Sequence, residues 1–419
     1  MVVSKSLSAH MIVLGIFAGL CWAPVAQGQW PQWGGPNRNF TVDGKGLATK
    51  WPEGGPKKLW SRNLGDGFAT VAVDDGLLFT MYRVDEAEFA VCLDAKTGQT
   101  TWEHKHDSPT TSEMREFGAG PHATPLVVAD RVFMVGTNMN LTCYDKKSGK
   151  KHWSHELAKE LEADVPGRGY SCSPIAYKDN VIVAVGSKEG KLSQGLVAFK
   201  QSDGSMSWKN GTYEISHSSA IPIKFGGKDQ IVFVSTKDIM GINPENGEGL
   251  WSHAHPTMYG ANLTTPYFDG TDKVYMSSAY DGGSRVIQLT ESGGKIEPKE
   301  LWFSKKMRVH HANAVRVGDF LYGSSGDFGP AFFMGANLKT GEIAWRDRNF
   351  AKATCLLAGD KVIILDEDGK LAIAEVTPKE LKILAQAQVC DRTAWAAPTL
   401  VGTTLYVRDR KKIMALDLG

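Results

Sequence analysis

Five segments of this chain carry one pattern: a polar turn, a glycine, three residues and a tryptophan. The pairs are Gly98/Trp102, Gly149/Trp153, Gly204/Trp208, Gly247/Trp251 and Gly341/Trp345. Residues 289–302 repeat it with an insertion before Trp302. Glycine reaches the positive φ of a tight hairpin turn without steric cost. The strand that resumes after it then carries a Trp at a fixed offset. Each pattern follows two small residues, often with a proline, and two apolar strands around a turn. Examples are Ala123-Thr124-Pro125, Cys172-Ser173-Pro174, Thr264-Thr265-Pro266 and Ala396-Ala397-Pro398. Small residues suit innermost strands crowded around an axis. One unit therefore holds four short antiparallel strands, which is one propeller blade.

The tryptophans count the blades. Trp60, Trp102, Trp153, Trp208, Trp251, Trp302 and Trp345 lie 42, 51, 55, 43, 51 and 43 residues apart. A β-sandwich does not repeat in this way. Each Trp is predicted to seal its blade to a neighbour. A seventh unit, residues 353–389, lacks the Trp, and the last, 396–419, stops before its outer strand. Residues 57–64, with Trp60, can supply that strand. The prediction is an all-β, eight-bladed β-propeller of four-stranded antiparallel blades. An N-terminal outer strand joins the C-terminal blade, which closes the ring and removes free edges. One helical segment is expected, over residues 155–164.

Residues 1–28 read as a signal peptide. Lys5 precedes an apolar run at 11–22, too short to span a bilayer. Ala26-Gln27-Gly28 offers cleavage after Gly28, and Leu20 before Cys21 is the wrong neighbour for lipidation. A lead-in segment (29–56) and one propeller domain (57–419) follow. No later stretch is apolar enough for a membrane helix, so a periplasmic or secreted, monomeric protein is expected. With 47 basic and 46 acidic residues, there is no basic excess for nucleic acid. Five Cys lie beyond the signal, an odd number. Cys92 and Cys143 occupy equivalent repeat positions and read as small core residues; a bridge among the others stays open.

The repeats (turn, Thr/Ser-Gly, three residues, Trp) resemble those of the pyrroloquinoline-quinone-like propeller superfamily. That group includes quinoprotein alcohol dehydrogenases and the outer-membrane assembly lipoprotein BamB. WPQWGGPNRN (30–39), WPEGGPKKLW (51–60) and VPGRGYSCSPI (165–175) resemble secreted propellers of planctomycete-type bacteria. For an enzyme, the resemblance implies quinone (PQQ) held by calcium in the central channel, between a Trp and a disulfide of adjacent Cys, with an Asp as base. No two Cys are adjacent here. The expected function is therefore a non-catalytic envelope scaffold for a protein partner or small ligand, without a cofactor. A PQQ- and calcium-dependent dehydrogenase is the alternative.

The candidate site is the residue before each small pair: Phe68, His122, Ser171, His217, Leu263, His311, Lys352 and Trp395. In a propeller these share one mouth of the channel. His310 and Asn262 lie beside the ring in sequence, and Asn262 is counted with the ligand-binding candidates. Imidazoles on one axis can bind a metal or an anion, or simply line a water-filled funnel; no metal site is assigned. Asp366-Glu367-Asp368-Gly369 opens like a calcium loop, but Thr377 stands at its twelfth position, so a hairpin turn is expected. His104 and His106 are expected on an exposed edge, with His253 and His255 similarly placed. Lys305, Lys306 and Arg308 read as loop charges. No phosphate loop is present, and no catalytic triad can be argued from spacing.

Overall fold

A computed structural model of the chain describes residues 29–186, 194–311, 313–327 and 329–419. The expected signal segment, 1–28, lies outside them. The strands form eight sheets around one axis, seven of four strands and one of five. Blades 1 to 7 span residues 72–107, 126–156, 175–210, 221–254, 267–304, 315–347 and 354–388. Blade 8 combines residues 399–417 with Lys57–Asn63, which pairs antiparallel with Lys412–Asp417. The ring closes as predicted.

The Gly and Trp of the repeat meet across blades. Gly98, Gly149, Gly204 and Gly341 turn with φ of 71–77°. A Cβ on them would come within 2.6–2.7 Å of Trp60, Trp102, Trp153 and Trp302, each from the preceding blade. Glycine is thus needed twice, for its φ and for the room it leaves the indole. The indole N–H groups of Trp60, Trp102, Trp153, Trp302 and Trp345 donate to Ala95, Lys146, Gln201, Leu338 and Thr377 carbonyls of the next blade, at 2.7–3.2 Å. Every outer strand slips register by one residue at this point, a bulge that aims the side chain into the seam. Trp251 differs. Blade 5 has no glycine turn beneath it, because its outer hairpin is lengthened (Gly283–Ser292, Lys295–Ser304). Trp251 bonds Gln230 of its own blade instead.

The structure corrects the expected helix and the expected exposure of the strand-end histidines. The segment 155–164 is mostly not helix: the strand Lys151–Glu156 runs on, and only Leu157–Glu160 is helical. His155 stays extended because its ring stacks on Phe199 and bonds the Gly204 carbonyl. A second short helix, Ser112–Phe117, was not expected. His104 and His106 are not on an exposed edge. They share the seam-facing side of the strand with Trp102: His104 stacks on Tyr144 and bonds the Gly149 carbonyl, and His106 approaches Glu88. His255 is likewise buried, between Arg285 and Ser278. Asp366 does form a hairpin turn, accepting from Asp368 and Lys370 amides. The five described Cys are all free and buried.

The lead-in segment enters the axis. Trp30 bridges Val73 of blade 1 and the Pro31 carbonyl accepts from Val127 of blade 2. The Trp33 indole donates to Thr265 of blade 5 at 2.8 Å. Arg38 donates to the Ala220 carbonyl of blade 4 and the Pro174 and Ser173 carbonyls of blade 3. Thr41–Val42 then adds a parallel fifth strand inside Thr354–Ala358 of blade 7. These residues form a plug across one mouth of the channel.

Candidate functional site

The small pairs do more than fit a crowded centre. Their hydroxyls and amides bond blade to blade: Thr124 N to Ser173 Oγ, Ser173 N to Ser219 Oγ, Ser218 Oγ to the Thr264 carbonyl and Thr264 Oγ1 to the Val309 carbonyl. Asn313 bonds the Cys355 carbonyl, and Thr399 bonds that of Val71. This belt fixes the backbone of every innermost strand. The residue before each pair is thereby held in the segment that leads into the innermost strand, at the cavity above the plug.

A cavity of about 780 Å³ opens there, with Trp33 of the plug in its floor. Phe68, His122, Ser171, His217, Leu263, His311, Lys352 and Trp395 all line it, joined by His310. Asn262 does not. It is fully buried in the wall, where its amide donates to the Ser235 carbonyl and accepts from the Ser278 hydroxyl. The lining residues from loops outside the repeat, Glu113, Met114, Arg168, Tyr259, Tyr280 and Asp327, went unnoticed in the sequence, because nothing periodic marks them.

Much of the wall is a chain of ring contacts. His122 stacks on Phe68 (5.1 Å), Phe68 on Trp395 (5.6 Å) and Trp395 on His311 (4.7 Å). His311 touches His310, which meets Tyr280 edge-on, and Tyr280 meets Tyr259. On the opposite side the Ser171 hydroxyl lies 2.8 Å from His217 Nδ1. Lys352 leans back to Glu367 (3.6 Å), and Asp327 holds Arg308 (3.5 Å) and the Tyr280 amide. His122, His217 and His311 therefore have separate partners. Among the described residues no three His, Cys, Asp or Glu side chains gather to hold a metal ion.

Burial lowers the pKa of His122, His217 and His310 to about 4. His217 adds to the effect at His122, Arg168 adds to it at His217, and Asp327 opposes it at His310. Burial and then His310 push His311 well down too. Free histidine titrates near pH 6.5, so the unfolded chain binds more protons between about pH 6.5 and 4. Stability is then complete above about pH 6.5 and falls as the pH drops through this window. For His122, His217 and His310 the loss by pH 5 is on the order of 1 kcal/mol each. Urea denaturation should show the midpoint falling from pH 7 to pH 5; an unchanged midpoint would contradict the neutral wall.

An eight-bladed ring of Trp-docked blades around an axial cavity defines the PQQ-like propeller class. A family model described as outer membrane protein assembly factor BamB matches residues 86–347, more than half of the chain, and the chain belongs to that family. BamB from Moraxella catarrhalis superposes with a TM-score of 0.61 at 15% identity, covering 86% of this chain and 99% of that one. Quinohemoprotein alcohol dehydrogenase from Comamonas testosteroni gives 0.66 at 12%, covering 95% and 82%. At these identities the likeness shows the fold alone. Among curated proteins, the lanthanide-dependent methanol dehydrogenase of Methylorubrum extorquens is 32% identical over 255 residues, 51% of this chain and 38% of its own length. The quinoprotein alcohol dehydrogenase PedH of Pseudomonas putida is 27% identical over 198 residues, 44% and 29%. The chain thus spans well under half the length of both.

The residues present do not fit a calcium-held quinone. Calcium takes roughly six to eight oxygen ligands, mostly carboxylates and carbonyls. The carboxylates on this wall are Glu113 and Asp327, and Asp327 is already engaged. None of the five described Cys lines the cavity.

Proposed function

We propose that this protein is a non-catalytic propeller of the cell envelope, periplasmic or secreted, and that its axial cavity is a binding site for a small ligand. The observation that carries this reading is convergence. All eight ring positions, one per blade, meet in one cavity that the N-terminal segment floors and that opens at the other mouth. A concave, largely preformed cavity of this size is the usual form of a small-molecule site. No group on its wall has the constellation of a quinone enzyme, which favours binding over catalysis.

Native mass spectrometry of the protein purified from its own envelope tests the reading, with Leu263→Trp to fill the cavity. A small-molecule adduct on the wild type, lost in a variant of unchanged melting temperature, is the expected result. Adduct-free wild type, or an adduct that persists in the variant, would remove the cavity as the site. Quinone-dependent alcohol oxidation by the purified protein would overturn the non-catalytic assignment.

A further inference from the structure

We propose that the cavity takes a neutral, polyhydroxylated ligand of one or two rings, a mono- or disaccharide. The inference rests on the cavity being the binding site. It comes from the kind of groups on the wall rather than their number. The charged groups at the wall balance: Glu113 and Asp327 against Arg168 and Lys352. An anion or a cation of net charge would find no surplus there. The polar remainder is imidazole and hydroxyl, and both donate and accept hydrogen bonds.

Ser171 and His217 show how this works. The Ser171 hydroxyl pairs with Nδ1 of a neutral imidazole, and in either tautomer the other ring nitrogen is left as one donor or one acceptor. Ser173 and Ser219 continue the same side. Two blades further round the ring His310 is 2% exposed, and its Nδ1 has no hydrogen-bond partner. A buried polar atom left unpaired costs about 1–3 kcal/mol, so a ligand hydroxyl that reaches it recovers that cost. A ligand whose own groups donate and accept together complements such a wall, and the sugar hydroxyl is the common group of that kind.

The aromatic side agrees. Phe68 is stacked between His122 and Trp395, and Trp395 between Phe68 and His311, so these two rings line the cavity with both faces covered and offer their edges. Ring edges carry the positive end of the quadrupole and favour electron-rich oxygen. Leu263 and Ala261 offer apolar contact for the C–H surface of a sugar ring.

Calorimetry with the whole purified protein tests the class. The probes are glucose, N-acetylglucosamine, maltose and cellobiose, with glucuronate and glucosamine as charged counterparts. At least one neutral sugar should bind, with glucuronate and glucosamine at least tenfold weaker. Affinity should fall at least tenfold in the Ser171→Ala/His217→Phe double variant, whose melting temperature serves as the folding control. A charged probe that binds more tightly, or no binding by any neutral probe, would overturn the proposal. An adduct in native mass spectrometry that these sugars do not displace would do so too, while leaving the cavity as the site. Loss of both adduct and sugar binding removes both readings.

Discussion

Replacing Arg38 with alanine should cost about 3–5 kcal/mol of folding stability, the range for breaking a buried charged contact. The side chain is 1% exposed. It donates to Ala220, Pro174 and Ser173 carbonyls and to Gln32 Oε1, at 2.9–3.4 Å. Those carbonyls belong to buried residues that lead into the innermost strands of blades 3 and 4. Removing the guanidinium leaves them unpaired and leaves a void at the axis. The backbone here is also held in an unfavourable region, with Arg38 and Phe40 at φ of 52° and 57°. Without the side-chain bonds only backbone hydrogen bonds of the segment are left to offset that strain. Guanidinium denaturation of wild type and variant measures the difference, and a loss below about 1 kcal/mol would mean that the plug is not held by this residue. Arg38→Lys should recover only part of the loss, since an ammonium cannot reproduce the planar fork.

Glu88→Ala should be nearly as costly, again about 3–5 kcal/mol, because it strands a buried cation. Glu88 is fully buried, bonds Arg83 at 2.8 Å and the Thr137 amide and hydroxyl, and lies 3.4 Å from His106. Burial alone would raise its pKa, but the bonds from His106 and Thr137 and the charge of Arg83 hold it below the ordinary value. Arg83 in turn donates to the Ser108 and Ala119 carbonyls. Those two residues bracket the loop whose helix, Ser112–Phe117, brings Glu113 and Met114 to the cavity wall. The variant should therefore lose stability and also exchange amide hydrogens faster across 108–120. If that loop kept its protection while global stability fell, the pair would be a general seam contact and not the anchor of the wall. Glu88→Gln keeps an acceptor and should cost less, about 1–3 kcal/mol.

Blade 7 shows how one missing residue is offset elsewhere. Its outer strand, Leu381–Gln388, has Ala385 at the register slip where other blades have Trp. Loss of an indole from a seam leaves that blade less firmly docked. The same blade gains Thr41–Val42 at its inner edge, and the Leu357 and Gly359 amides bond Phe40 and Val42 carbonyls. The plug thus adds backbone pairing to the blade that has no Trp of its own.

The number of blades, the composite eighth blade and the ring of axis-facing positions were all legible in the sequence. Each is a local property repeated: a turn that needs positive φ, an alternation of facing along a strand, a fixed offset to a Trp. Repetition turns a weak local signal into a count. Other features needed the closed ring. Trp60, Trp102, Trp153, Trp208 and Trp302 each rest on a glycine of the next blade, a contact between residues about 40 to 50 positions apart whose partner becomes definite only when the blades are in order. Asn262 and Leu263 are neighbours in sequence, and only the packing around Ser235 and Ser278 sends one into the wall and the other to the cavity. His104 and His106 looked solvent-facing because strand alternation does not reveal that another blade covers that side. Residues 29–43 carry no repeat at all, so nothing local assigns them a place. They fill the axis because eight sets of innermost strands leave backbone groups and apolar surface there that Trp30, Arg38 and Phe40 can satisfy. The sequence by itself thus determined the propeller and which residues meet at its mouth. The tertiary structure alone decided that the other mouth is closed, which makes a channel into a cavity.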